Sequence, residues 1–199
     1  MNKSKENKIN EILKNSLKVL AKNGFDNTTI ANIASESGVS RGILHYYFSD
    51  KEDLVSKVLA YSSDEIILGS IKGIRGKTPE EIIDNIIKDN IQNFKNNPDS
   101  FAFLFEMWCA SRRSQRIKNE LINCSGKVTK AIKTVLDDAI KKDILKIDIK
   151  YTEEIAKALL ALFNGIAFEM LMDTSRDLDN SRYWIQVRNM MLSILRTYP

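Results

Sequence analysis

Apolar side chains recur at three- and four-residue intervals along almost the whole of this chain, and no stretch alternates in the manner of a β-strand. A chain patterned this way can bury its apolar residues only by packing helix against helix. Between Lys8 and Lys22 the series is Ile9, Ile12, Leu13, Leu17 and Leu20, which lie on one helical face. Asn23-Gly24 ends it, because Gly24 can take a positive φ and return Phe25 onto Leu20. Thr28 or Thr29 can cap a second helix whose inward side is Ile30, Ile33 and Ala34. Gly38 breaks that helix and Ser40 caps a short third one. A fourth helix is expected from about Lys51 to Ile71, and the stretch "GSIKGIRGK" after it reads as a hinge.

The second half repeats the pattern with longer elements. Thr78, Pro79 and Glu81 form a capping-box start for a fifth helix through Ile82, Ile83, Ile86, Ile87 and Phe94. Asn97-Pro98 opens a sixth, "DSFAFLFEMWCA", and the polar "SRRSQR" marks a bend before a seventh over about 115–142. An eighth helix is expected over about Thr152 to Met172, and a ninth over about Asn180 to Thr197. The fold class is therefore all-α. A three-helix bundle with a helix-turn-helix is expected over 1–50, a connecting helix and linker over 51–76, and a larger bundle over 77–199.

The eighth helix is apolar nearly all round. Ile155, Leu159, Leu162, Phe163, Ile166 and Met170 make one stripe, and Leu160, Ala161, Ala167, Phe168 and Leu171 cover much of the rest. Such a helix needs apolar partners on two sides. One is its own bundle. The other can be the same surface of a second copy, closed by a twofold axis. On that reading Ile155, Leu159, Leu162 and Ile166, with Trp184, Val187, Met191 and Ile194 of the ninth helix, form a dimer interface. The competing reading is a central core helix within one chain.

Several function classes are excluded by what the sequence lacks. No apolar segment follows "MNKSKENK", and no run of eighteen uncharged apolar residues occurs, so a cytoplasmic protein without a membrane span is expected. Cys109 and Cys124 have no histidine near them, which reads as reduced thiols, not as a metal site. There is no nucleophile–base pair and no phosphate loop, so neither catalysis nor a cofactor is expected. The formal net charge of +4 permits an anionic partner without demanding one.

The stretch "SGVSRGILHYYFSDKEDL", Ser37 to Leu54, carries the chemistry. The helix before Gly38 and the one after Ser40 fit a helix-turn-helix. Val39, Leu44 and Phe48 point inward. Gly42 and Tyr46 then lie on the opposite side, flanked by Ile43 and His45. A glycine inside a helix costs about 1 kcal/mol against alanine, and close backbone approach to a flat surface is a reason to keep it. Duplex DNA is such a surface. Arg41 can read a guanine edge through two parallel donors. His45 and Tyr46 can reach bases or phosphates, and Tyr47 and Lys51 are expected on phosphates. Thr29 and the amides that begin the second helix offer a neutral phosphate site.

"GFDNTTIANIASESGVSRGILHYYFSDKEDL" closely resembles the DNA-binding domain of the TetR family of transcriptional regulators. The likeness lies in Gly24-Phe25, Thr28-Thr29, Ile33-Ala34, Gly38-Val39-Ser40, Gly42, Leu44, Tyr47-Phe48 and Lys51. His45 departs from it, standing where the family often has tyrosine. The stretch from Phe101 to Met172 is more loosely similar to BetI-type members. The resemblance implies a homodimeric repressor on a near-palindromic operator, released by a small-molecule inducer. The alternative is a helical interaction module whose helix-turn-helix binds protein.

An inducer could sit against an aromatic-walled pocket between the fifth to eighth helices, lined by Phe101, Phe105, Trp108, Phe163 and Phe168. Glu106 lies inside an otherwise apolar run and needs a partner. Either Arg112 or Arg113 supplies one, or Glu106 beside Trp108 holds a cationic amphiphile by charge and cation–π contact. An acyl ligand is the other possibility.

Overall fold

The computed structural model describes the backbone of residues 3–73, 75–173 and 181–196, and side chains outside 1–4, 65–74, 174–181 and 196–199. Nine α-helices and no strand occur among the described residues: α1 Lys3–Asn27, α2 Ile30–Glu36, α3 Arg41–Tyr47, α4 Lys51–Gly73, α5 Pro79–Asn96, α6 Pro98–Ser111, α7 Gln115–Lys141, α8 Thr152–Met172 and α9 Ser181–Arg196. A single 3-10 turn, Ile149–Tyr151, precedes α8. Of the expected hinge at 69–77, residues 69–73 continue α4 and only 74 lies outside the described backbone, so the break comes later than the glycines suggest; Tyr198, expected on the apolar face of the last helix, lies outside the described residues.

The local signals act as their chemistry requires. Gly24 takes φ 76° and ψ 167° and kinks α1 near its end, so helical turns resume only over its last residues. Gly38 takes φ 61° after α2. The Thr29 hydroxyl accepts the Asn32 amide, and the Asn32 side chain accepts the Thr29 amide, which closes a capping box at α2. The Ser40 hydroxyl accepts the Ile43 amide at α3. At α5 the Thr78 hydroxyl accepts the Glu81 amide, while the Glu81 carboxylate takes the Lys77 amide, one residue before the expected one.

The chain divides into two compact units, Met1–Asp64 with Asn97–Ser125, and Glu65–Asn96 with Gly126–Pro199. This differs from the chain-order division at 51 and 77. The first unit recruits α6 and the start of α7, because α1 is apolar on more than the side that meets α2. Phe103, Met107, Ala110 and Ile117 are buried in one cluster with Ile12 and Leu20 of α1, Ile33 of α2, Leu44 of α3 and Leu54 of α4. α1 and α6 form the most extensive helix pair among the described elements. Burial of Phe103 and Met107 contributes roughly 1.5–3 kcal/mol each.

In the second unit α5, α9, α8 and the C-terminal part of α7 share a core. Here the dimer expectation needs correcting. Ile155, Leu159, Ile166, Val187 and Met191 are buried inside this one chain, with Met191 at 0% and Leu159 at 2% exposure. They face Ile82, Ile83 and Leu195, not a second copy. Leu162, Trp184 and Ile194 are only half-buried against the same cluster. The periodicity contained two apolar stripes, and packing within the unit took the one assigned to the partner. The exposed side of α8 is the complementary stripe: Ala158, Ala161, Gly165, Phe168 and Met172, at alternating three- and four-residue steps. On α9, Ile185 and Met190 are about half exposed. Ile149–Met172 is long and apolar enough to cross a membrane by length and composition, yet one side of it lies in this core.

Candidate nucleic-acid interface

The turn between α2 and α3 is held by backbone bonds, Gly38 N–H to Ser35 O at 3.2 Å and Val39 N–H to Ala34 O at 3.0 Å. Leu44 and Phe48 anchor α3 inward, and both are essentially inaccessible. That fixes the rotation of α3. Its outer face then presents Arg41, Gly42, Ile43, His45 and Tyr46, all exposed, with Tyr46 at 71% and Ile43 at 41%. A Cβ at Gly42 would meet only the Ser40 hydroxyl, at 3.8 Å, so nothing inside the protein requires glycine there. Among the described residues, no hydrogen bond or ion pair engages the Arg41 guanidinium. An apolar isoleucine, two aromatic rings and an unpaired guanidinium on one helical face make a poor water-facing surface and a good groove-facing one.

Two of the expected contacts are occupied internally. Lys51 Nζ donates to Phe25 O at 2.6 Å and Thr28 O at 2.8 Å, and lies 4.2 Å from the Phe25 ring centroid. It closes the open carbonyls at the end of α1. Burial pushes its pKa down, against the nearby charges of Asp26 and Glu52. Only its third N–H is left for a phosphate. The Thr29 hydroxyl is likewise engaged with Asn32 in the α2 cap. Tyr47 is half-buried against the core, its ring edge-on to Tyr46 at 5.0 Å.

Lys57 does for α3 what Lys51 does for α1. Its ammonium donates to Tyr47 O at 3.3 Å and to Asp53 at 2.9 Å. Asp50 accepts the Asp53 amide at 2.7 Å, and Asp53 accepts the Ser49 amide at 3.0 Å. The start of α4 thereby holds the exit from α3. Both carboxyls lie below their ordinary range. For Asp50 the Asp53 amide is the largest cause and Arg116 adds to it against desolvation. For Asp53 burial acts upward, and Lys57, the Ser49 amide and Arg116 outweigh it.

α6, the turn after it and the start of α7 hold this unit through three side chains whose partners sequence reasoning missed. Glu106 accepts the Phe25 amide at 3.0 Å. Arg113 pairs with Asp26. Arg116 pairs with Asp50 at 3.1 Å and Asp53 at 3.0 Å. Glu106 therefore has a main-chain partner at the α1 kink, and the expected pairing with Arg112 or Arg113 is replaced. One of the two Glu106 carboxylate oxygens is engaged there. A charge inside an apolar run did signal a buried partner, but the partner lies 81 residues away and leaves no local trace. Of the remaining aromatic residues, Phe101 and Phe105 are half-buried and Trp108 is exposed in the first unit, with the Phe105 and Trp108 rings edge-on at 4.9 Å. In the second unit Phe163 is half-buried and Phe168 exposed.

Residues 12–58 match the family model described as bacterial regulatory proteins, tetR family. The helix-turn-helix transcriptional regulator YerO of Bacillus subtilis is 33% identical over 108 residues, which cover 52% of this chain and 36% of that one. The chain thus spans little more than a third of YerO. The regulator BetI of Agrobacterium fabrum is 22% identical over 76% of this chain and 70% of its own length. Among solved structures, the transcriptional regulator FadR of Bacillus subtilis in complex with stearoyl-CoA superposes with a TM-score of 0.71 at 17% identity, covering 93% of this chain and 96% of that one.

Proposed function

We propose that this chain, which belongs to the TetR family of transcriptional regulators, works as a ligand-released repressor that sets two copies of α3 into successive major grooves of one operator. The observation that carries the DNA reading is the division of α3. Leu44 and Phe48 fix it from within, and Arg41, Gly42, Ile43, His45 and Tyr46 stand outward together. The two recognition helices of a dimer must then lie about 34–36 Å apart. The second copy docks on the open stripe of α8, from Ala158 to Met172. Small residues at Ala158, Ala161 and Gly165 let two such helices approach closely, and Phe168 and Met172 supply buried area. This assignment replaces the one expected from periodicity.

The effector we infer is an acyl amphiphile. Glu106, the carboxylate within the aromatic run of α6, gives one oxygen to the Phe25 amide, and the side chains around it in that run are mostly apolar. Phe101 and Phe105 are its proposed α6 contacts. FadR, with its stearoyl-CoA, is a relative in fold that holds a ligand of that class.

Selection of bound fragments from sheared genomic DNA tests the main reading. The expected fragments share an inverted repeat, and binding weakens steeply with salt. Arg41→Ala changes which bases are preferred at one position of each half-site, costing about 1–3 kcal/mol there. Fragments without a common repeat, bound equally at low and high salt, would overturn the proposal. Long-chain acyl-CoA, and not a quaternary ammonium, then releases the selected operator.

A further inference from the structure

The segment before the family match carries a cation at the proposed interface. Lys5, exposed in the first turns of α1, sets its ammonium 5.2 Å from the Tyr46 ring centroid and 5.5 Å from that of Tyr47. The two rings stand edge-on to each other, interplanar angle 76°, and form a shallow seat for it. Lys5 is 36 residues ahead of α3 and lies outside residues 12–58. Only the return of the chain through α2 brings the two together.

We propose that Lys5 is a DNA-backbone contact that extends the α3 surface, and that Tyr46 and Tyr47 hold its ammonium toward the phosphates. The argument is one of unspent donors. Lys51 and Lys57, the other lysines at this surface, give their N–H groups to main-chain carbonyls of Phe25, Thr28 and Tyr47. No carboxylate or carbonyl of the described residues takes the Lys5 ammonium. An aromatic face attracts the charge weakly at an exposed site, which orients the side chain and leaves its N–H donors unspent. Its three donors are left for an external acceptor that is anionic and lies beside Tyr46, itself exposed on α3. On a duplex entered by α3, that acceptor is the phosphate row at the groove edge.

This inference rests on the DNA reading above, and the test separates the two. Full-length wild type, Lys5→Gln and Lys5→Arg are titrated against one genome-selected fragment and one with a scrambled half-site, over a range of salt. The expected result is that Lys5→Gln lowers affinity for both fragments alike and reduces the slope of log affinity against log salt by about one. Lys5→Arg keeps the wild-type slope. If wild type itself binds neither fragment at any salt, the DNA reading falls and Lys5 with it. If wild type binds and Lys5→Gln keeps its slope, the Lys5 assignment is overturned while the interface stands. That holds even when affinity drops, since a lysine that merely steadies the tyrosines would lower affinity at every salt equally.

Discussion

Replacing Gly24 by alanine probes the long-range contact between the α1 kink and Glu106. The backbone there, φ 76° and ψ 167°, lies in a region essentially reserved for glycine, and a side chain in it costs roughly 1–3 kcal/mol. A second cost follows from geometry. The new Cβ would stand 2.9 Å from Glu106 Oε1 and 3.3 Å from its carboxyl carbon. That oxygen is the acceptor for the Phe25 amide. Alanine displaces it and forfeits a charge-assisted bond worth about 1.5 kcal/mol, the low end for a half-buried carboxylate. Gly24→Ala should therefore cost roughly 2.5–4.5 kcal/mol and Glu106→Ala about 1.5 kcal/mol. In the double variant the bond is lost once, so its cost equals that of Gly24→Ala alone. The two singles then exceed the double by about 1.5 kcal/mol. Urea unfolding followed by far-UV circular dichroism measures all four corners. Strict additivity, within about 0.5 kcal/mol, would mean that Gly24 and Glu106 do not meet. A Gly24→Ala chain as stable as wild type would mean that the kink is not there at all.

The α8 surfaces separate by substitution. Ala161→Glu, on the open stripe, should yield a folded monomer by sedimentation velocity, whereas Met191→Ala, in the core of the second unit, should lose about 2–5 kcal/mol of stability and leave association intact at low temperature. A dimeric Ala161→Glu would move the interface elsewhere. Acid should loosen the α4 start. Asp50 and Asp53 have folded pKa values below the ordinary 3.8, so their stabilisation is fully present above that value and is lost as pH falls through the lowered ones. Arg116→Gln should make acid unfolding less steep, measured by circular dichroism between neutral and strongly acidic buffer. An unchanged acid limb would show that these pairs do not contribute.

Element boundaries were readable because they are local. Thr29, Ser40 and Thr78 cap helices a few residues away, and Gly24 and Gly38 take the backbone their neighbours demand. The outward set of α3 followed from one helical wheel with Leu44 and Phe48 as its anchor. What could not be read was long-range choice. α8 offered two apolar stripes, and only the packing of α5 and α9 decides which is covered. Lys51 next to a DNA-reading motif suggested phosphate, but its partners are carbonyls 23 and 26 residues upstream. Glu106 announced a partner without naming it. Lys5 gave no signal, since a lysine near a helix start is ordinary until tyrosines arrive beneath it.

The shared core of α1 and α6 bears on how this protein could be re-engineered. Transplanting residues 1–50 onto another regulator would strip Phe103, Met107 and Ala110 from the floor of α1 and leave the grafted reading head with an oily underside. A chimera that exchanges specificity must carry α6 along as part of the head, and the natural seams for such surgery are the breaks near residues 64, 97 and 125.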